Sequence, residues 1–293
     1  MNSLFNLIGK TPLVKIERIN QNNNVTILGK LEGQNPGGSV KDRAAYGMIA
    51  GALEKGEIKK GDRLIEATSG NTGIALAMIA QSMGLEMTLL MPENSTIERV
   101  HAMRAYGAHV ILTPADGTIE YSRELAEKMA KEEGYYILNQ FANPDNYGMH
   151  YKTTGPEIWN DTNHEVTHFV SAMGTTGTIM GVSRYLKEQN SEIQIIGTQP
   201  TEGSSIPGIR RWSPAFLPKI FESDRVDRTI DVNEDQARNM ARRLAKEEAI
   251  LSGMSSGGAL TAALQIASEI TEGTIVFIVC DRGDRYLSSG LFD

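Results

Sequence analysis

The stretch Arg63-Leu64-Ile65-Glu66-Ala67, followed by Thr68-Ser69-Gly70-Asn71-Thr72-Gly73 and the segment 74–83, decides the fold class of this chain. Residues 63–67 read as a short strand and residues 71–83 as a helix rich in Ala, Ile and Met. Between them lies a turn of small residues bearing hydroxyls and an amide. A strand that runs through a polar turn straight into a helix is the repeating unit of a parallel α/β sheet. In such sheets ligands bind beyond the carboxyl ends of the strands.

The alternation continues in both directions. Residues 25–31, 87–91, 110–113, 167–171, 193–198 and 274–280 read as strands, 137–138 begins a short one, and 225–232 is extended. Residues 40–53, 96–106, 119–133, 179–189, 234–246 and 259–269 read as helices, and 157–159 lies in another. Strands apolar on both faces and separated by helices predict an α/β protein with mostly parallel twisted sheets flanked by helices. The 293 residues suit two such layers: residues 35–145 as a smaller mobile domain that binds a substrate carboxylate, and 1–34 with 146–293 as a larger domain. The segment 201–218, which holds Arg210-Arg211-Trp212, is long for a structureless connection, and loops of that size are usually functional or disordered.

Composition excludes several classes. Hydrophobic residues at 40% and charged residues at 22% are values of a globular chain. A net charge of −7 without a concentrated basic stripe argues against nucleic acid or an anionic membrane surface as partner. The single cysteine, Cys280, excludes an intramolecular disulfide and a Cys-based zinc site. His164 and His168 are spaced four apart, but strand entry at Val166 argues against a metal site, and no metal is expected. The start, Met1-Asn2-Ser3-Leu4-Phe5-Asn6, does not read as a signal peptide, and the apolar runs 74–80 and 275–280 are too short to span a bilayer. A cytoplasmic protein is expected.

Small-residue turns recur where strands pass into helices. Asn35-Pro36-Gly37-Gly38-Ser39-Val40-Lys41-Asp42-Arg43 sets a lysine at a helix entry. The positive end of the helix dipole disfavours an ammonium there and favours the free amine that forms a Schiff base, although alone Lys41 also reads as a surface lysine. Thr68 to Gly73 offers N–H groups and hydroxyls to a small anion such as a carboxylate; a plain N-cap reads equally well. Gly174-Thr175-Thr176-Gly177-Thr178 suits the phosphate of a small cofactor, lacking both the P-loop ending and the dinucleotide glycine spacing. Met254-Ser255-Ser256-Gly257-Gly258 opens a further helix.

Taken together and in order, these turns resemble the cysteine synthase branch, B-type, of the β-family (fold type II) pyridoxal-phosphate enzymes. The likeness runs from Ile8-Gly9-Lys10-Thr11-Pro12-Leu13 to near the C-terminus and includes Gly155-Pro156-Glu157-Ile158-Trp159 and Gly208-Ile209-Arg210-Arg211-Trp212. The resemblance implies a tryptophan synthase β-like architecture with pyridoxal 5'-phosphate between two domains. Lys41 would hold the cofactor, Asn71 would contact its ring hydroxyl, Gly174, Thr175, Thr176, Gly177 and Thr178 its phosphate, and Ser255 its pyridine nitrogen. Thr68, Ser69 and Thr72, with Gln140, would bind the amino-acid carboxylate.

The implied reaction is β-replacement: O-acetyl-L-serine loses acetate to an α-aminoacrylate, and sulfide adds to give L-cysteine, or thiosulfate to give S-sulfocysteine. A neutral hydroxyl on the ring nitrogen makes the cofactor a moderate electron sink, which favours elimination over transamination. Arg210 and Arg211 read either as attractors of an anionic sulfur donor or as a solvated doublet beside Trp212, and they leave O-phosphoserine open as substrate. Cys280 reads as a cofactor-facing residue or a small buried hydrophobe. The resemblance also implies a homodimer and no stable complex with serine acetyltransferase. A catalytically silent binding partner is the rival reading, against which the retained Lys41, Asn71 and Ser255 argue.

Overall fold

The computed structural model describes residues 4–68 and 70–293. In chain order its strands are β1 (Leu13–Lys15), β2 (Val25–Leu31), β3 (Arg63–Ala67), β4 (Glu86–Pro92), β5 (His109–Thr113), β6 (Tyr136–Ile137), β7 (His168–Ala172), β8 (Gln194–Pro200), β9 (Arg228–Val232) and β10 (Gly273–Val279). Its α-helices are α1 (Lys41–Glu54), α2 (Asn71–Met83), α3 (Ile97–Ala105), α4 (Thr118–Glu133), α5 (Pro144–Met149), α6 (Gly155–Asp161), α7 (Gly177–Gln189), α8 (Glu234–Glu248) and α9 (Met254–Glu269).

The strands form two sheets. One has the order β5-β4-β3-β6 and is parallel throughout. The other has the order β1-β2-β10-β7-β8-β9 and is parallel except for its β1–β2 edge. The last strand therefore returns to lie between β2 and β7. Its run Ile275-Val276-Phe277-Ile278-Val279 is buried on both faces, as a central parallel strand requires. The expected α/β architecture is the one observed.

Helix α2 is buried from Thr72 to Ala80 because only apolar side chains occupy positions 74–80. Helix α8 is amphipathic: Ala237, Ala241 and Leu244 face the core while its charged residues face outward. A capping box starts it, Gln236 N–H donating to Asn233 Oδ1 (2.8 Å) and Asn233 N–H to Gln236 Oε1 (2.9 Å). Helix α9 begins at Met254, five residues before the expected start at Ala259. The glycine pair that reads as a turn is a packing surface: a Cβ on Gly257 would lie 2.1 Å from the Ala237 carbonyl oxygen, so α8 and α9 meet backbone to side-chain-free backbone.

A buried ion cluster ties α1 to the six-stranded sheet. Arg43, fully buried, donates from Nε and Nη2 to Glu32 Oε2 and Oε1 (2.8 and 2.7 Å), and from Nη1 and Nη2 to Glu157 Oε1 and Oε2 (2.7 and 2.8 Å). Lys30, also buried, donates to the Thr11 carbonyl (2.6 Å) and pairs with Glu157 and Asp161 (both 3.0 Å). Burial alone would raise the Glu32 carboxyl, but the charge and hydrogen bonds of Arg43 prevail and hold it below the usual range.

Candidate active site

One cleft opens between the two sheets, and the turns singled out in the sequence converge on it. It is bordered by Lys41 at the start of α1, Thr68 and Thr72 after β3, Gly174 and Thr175 after β7, and Ser255 in α9. These positions follow strand carboxyl ends or open helices, the places where parallel α/β sheets bind their ligands.

Lys41, half-buried, is the first residue of α1. The loop before it is pinned to the end of β10: Val40 N–H donates to the Cys280 carbonyl (2.8 Å), and Ser39 pairs with Asp281 in an antiparallel bridge. Asp42, the next residue, accepts from Gly37 N–H (2.5 Å), yet burial dominates and raises its carboxyl to about 7.

The 174–178 turn forms a cradle. Thr176 takes a left-handed backbone (φ 70°), and its Oγ1 is buried without a hydrogen-bond partner among the described residues. Asn146 Nδ2 donates to Thr175 Oγ1 (3.3 Å) and to the Gln140 carbonyl (2.8 Å), bracing the turn from behind. Thr178 Oγ1 lies 3.3 Å from His150 Nε2, whose other nitrogen meets Thr154 Oγ1 at 2.8 Å. Burial drives the His150 imidazole down to about 3, so it is neutral near pH 7.

Opposite, Thr72 Oγ1 donates to Gln140 Oε1 (2.9 Å), both side chains being buried. Ser69 lies outside the described residues. Ser255 is buried and borders the cleft beside Cys280, whose thiol burial raises to about 11. Cys280 is therefore a small neutral wall residue at neutral pH. Asn71 is engaged at both ends of its amide: Nδ2 donates to Asp281 Oδ2 (2.7 Å), and Oδ1 accepts from Arg285 Nη1 (2.5 Å). Sequence reading missed Asp281, Arg285 and Tyr286, which also donates to Asp281 Oδ2 (2.5 Å); the available signal was the charged run that follows the last apolar strand. Arg210 is exposed at the mouth, whereas Arg211 is paired with Asp231 at the rim.

The chain belongs to the pyridoxal-phosphate dependent enzymes, whose family profile matches residues 4–281. More particularly, it is similar to cysteine synthase B of Pseudomonas aeruginosa, with 56% identity over 99% of this chain and 97% of the relative. Cysteine synthase B of Escherichia coli is 55% identical over 100% of this chain and 96% of the relative. Among solved structures, the Entamoeba histolytica cysteine synthase superposes with a TM-score of 0.94 at 39% identity, covering 100% of this chain and 90% of that one.

The site fits the cofactor of that family. The buried Thr176 hydroxyl, without a partner among the described residues, and the amide end of the 13-residue helix α7 are donors suited to a phosphate, and the amine of Lys41 with the hydroxyls of Thr175, Thr178 and Ser255 borders the cleft.

Proposed function

We propose that this enzyme makes L-cysteine from O-acetyl-L-serine and sulfide, and S-sulfocysteine when thiosulfate is the donor. The observation that carries the reading is the convergence of Lys41, the 174–178 cradle and the Thr72–Gln140 pair on a single cleft. Gly174, Thr175, Thr176, Gly177 and Thr178 would hold the cofactor phosphate, Lys41 its carbonyl carbon, Ser255 its ring nitrogen and Asn71 its ring hydroxyl. When bound, pyridoxal phosphate supplies an electron sink that acidifies the α-proton of a linked amino acid.

The residues of the chain do the rest. Thr68, Ser69, Thr72 and Gln140 orient the substrate carboxylate. Lys41 would take the α-proton at its Nζ and later return it as acetate is exchanged for sulfur. Ser255 would offer the ring nitrogen a hydroxyl instead of a carboxylate, which suits elimination. Closure of residues 35–145 over the carboxylate would exclude water. The wider reading includes a homodimer in the cytoplasm that forms no stable complex with serine acetyltransferase; sequence likeness supports it.

The visible spectrum of the purified protein tests the assignment. A band of lysine-bound cofactor should shift on adding O-acetylserine and recover on adding sulfide. A band that O-acetylserine leaves unchanged would sink the substrate, and no band after incubation with pyridoxal phosphate would sink the enzyme reading.

Gly177 provides a second test. A Cβ there would lie 2.0 Å from Asn146 Oδ1, so Gly177→Ala must displace the residue that braces the cradle. Overpacking of this kind costs about 1–3 kcal/mol, and affinity for pyridoxal phosphate should fall about tenfold or more in a fluorescence titration of the apoprotein. Unchanged affinity would remove the 174–178 turn from the phosphate site.

A further inference from the structure

Asn71, the first residue of α2, borders the cleft, and two residues that follow β10 hold its amide. Arg285, in the 3₁₀ helix Gly283–Ser289, donates from Nη1 to Asn71 Oδ1 (2.5 Å) and from Nη2 to the Gly37 carbonyl (2.8 Å). Asp281 Oδ2 accepts from Asn71 Nδ2 (2.7 Å) and from the Tyr286 hydroxyl (2.5 Å), while its Oδ1 accepts from Gly253 N–H (3.1 Å). Arg285 thereby joins the turn that leads to Lys41 with the turn that leads to Asn71.

The chemistry of these partners leaves the amide one orientation. A guanidinium has only donors, and a carboxylate that receives three donors acts only as an acceptor. Burial, with the Asp281 charge added to it, pushes the Tyr286 hydroxyl up, so it stays protonated and donates. A flipped Asn71 amide would set its hydrogens against the Arg285 fork and its oxygen against Asp281, two repulsive contacts in place of two bonds. Nδ2 carries two hydrogens, and Asp281 takes one; the amide makes no other hydrogen bond among the described residues. Asn71 therefore stands at the cleft with an N–H to give.

We propose that Arg285 is a positioning residue: by holding the Asn71 oxygen, it turns an Asn71 N–H toward the ring hydroxyl oxygen of the bound cofactor. The inference rests on the placement of Asn71 at that oxygen, proposed above. A donor there stabilises the oxygen as an anion, and the proton then resides on the nitrogen that links Lys41 to the cofactor. That proton distribution absorbs in the visible, whereas the form with the proton on the oxygen absorbs in the near ultraviolet. The ratio of the two bands reads what Asn71 offers, with no turnover required.

The test compares spectra of the cofactor-loaded wild type, Arg285→Lys, Arg285→Gln, Arg285→Met and Asn71→Ala, with a urea midpoint for each. In Arg285→Met the visible-to-near-ultraviolet ratio should fall about threefold or more, the worth of one net hydrogen bond. Arg285→Lys, a donor-only cation, should keep part of the ratio. Arg285→Gln donates or accepts and so tolerates either amide orientation; its ratio should lie below that of Arg285→Lys, and it carries the comparison if Arg285→Met does not fold. The double variant Asn71→Ala with Arg285→Met should match Asn71→Ala, because Arg285 acts through Asn71. A wild-type ratio in Arg285→Met overturns the proposal, as does a ratio that follows the urea midpoints instead of the donor chemistry. A double variant well below Asn71→Ala overturns the route through Asn71. If Asn71→Ala itself keeps the wild-type ratio, the placement of Asn71 at the ring hydroxyl fails first and the role of Arg285 falls with it. A wild type without either band removes the cofactor reading itself.

Discussion

Replacing Lys41 with alanine is expected to reduce cysteine formation by about four orders of magnitude and to abolish the visible band of lysine-bound cofactor. The magnitude follows from loss of a positioned proton-transfer group, worth about 10²–10⁴-fold, together with loss of covalent attachment. The structure gives the expectation its specificity. Lys41 opens α1, and its loop is fixed to the end of β10 by the Val40–Cys280 hydrogen bond and the Ser39–Asp281 bridge. Pyridoxal phosphate should still bind the variant through the 174–178 cradle, detected by equilibrium dialysis. A variant that keeps the band, or retains more than about a hundredth of the activity, would reassign the attachment to another amine.

Arg43→Met should be the most destabilising of the substitutions considered. Removing the guanidinium leaves Glu32 wholly buried and Glu157 largely so, each without its main partner, and breaking a buried ion pair from one side costs about 3–5 kcal/mol. The loss should appear as a lower urea midpoint. The double replacement Arg43→Met with Glu32→Gln should recover part of it, because the uncompensated charge is then gone. Equal midpoints for wild type and Arg43→Met would show that the cluster contributes no net stability. Because the same helix begins with Lys41, the single variant should also lose activity.

The pH dependence follows from the same groups. Burial opposes ionisation of Glu157, but the hydrogen bond and charge of Arg43, with Lys30, hold its carboxyl down at about 2. A depressed carboxyl contributes stability that is complete above the ordinary value near 4.5 and is lost as pH falls toward 2. Asp42 and Glu66 have the opposite sign: burial raises both to about 7, so their contribution declines as pH rises from near 4 through 7. Denaturation midpoints measured from pH 3 to 8 should therefore pass through a maximum in the mildly acidic range. Glu66→Gln should flatten its upper limb, and an unaltered limb would place that limb on other groups.

Much of the fold was legible in local pattern. Apolar runs such as 275–279 and 74–80 carry their burial in the sequence itself, since nothing polar interrupts them. Turns of small residues marked the cleft because they stand where strands pass into helices. Other features were not legible. Strand β1 is three residues long and exists by pairing with β2. The π-helical turn over His150–Thr154 has no periodic signal, and the start of α9 is hidden by glycines that serve packing against α8.

By itself the sequence determined a parallel α/β protein with a lysine and hydroxyl-rich turns of small residues at strand ends, because strand and helix periodicity and turn chemistry act over a few residues. Only the tertiary structure decided which side chains meet across the cleft. Asn71 with Asp281 and Arg285, Arg43 with Glu157, and the Arg123–Phe141–Trp212–Arg210 row join residues from elements far apart in the chain. Such pairings are set by the crossovers of the two sheets and by the need to satisfy charge and hydrogen bonds removed from water, which no local pattern encodes.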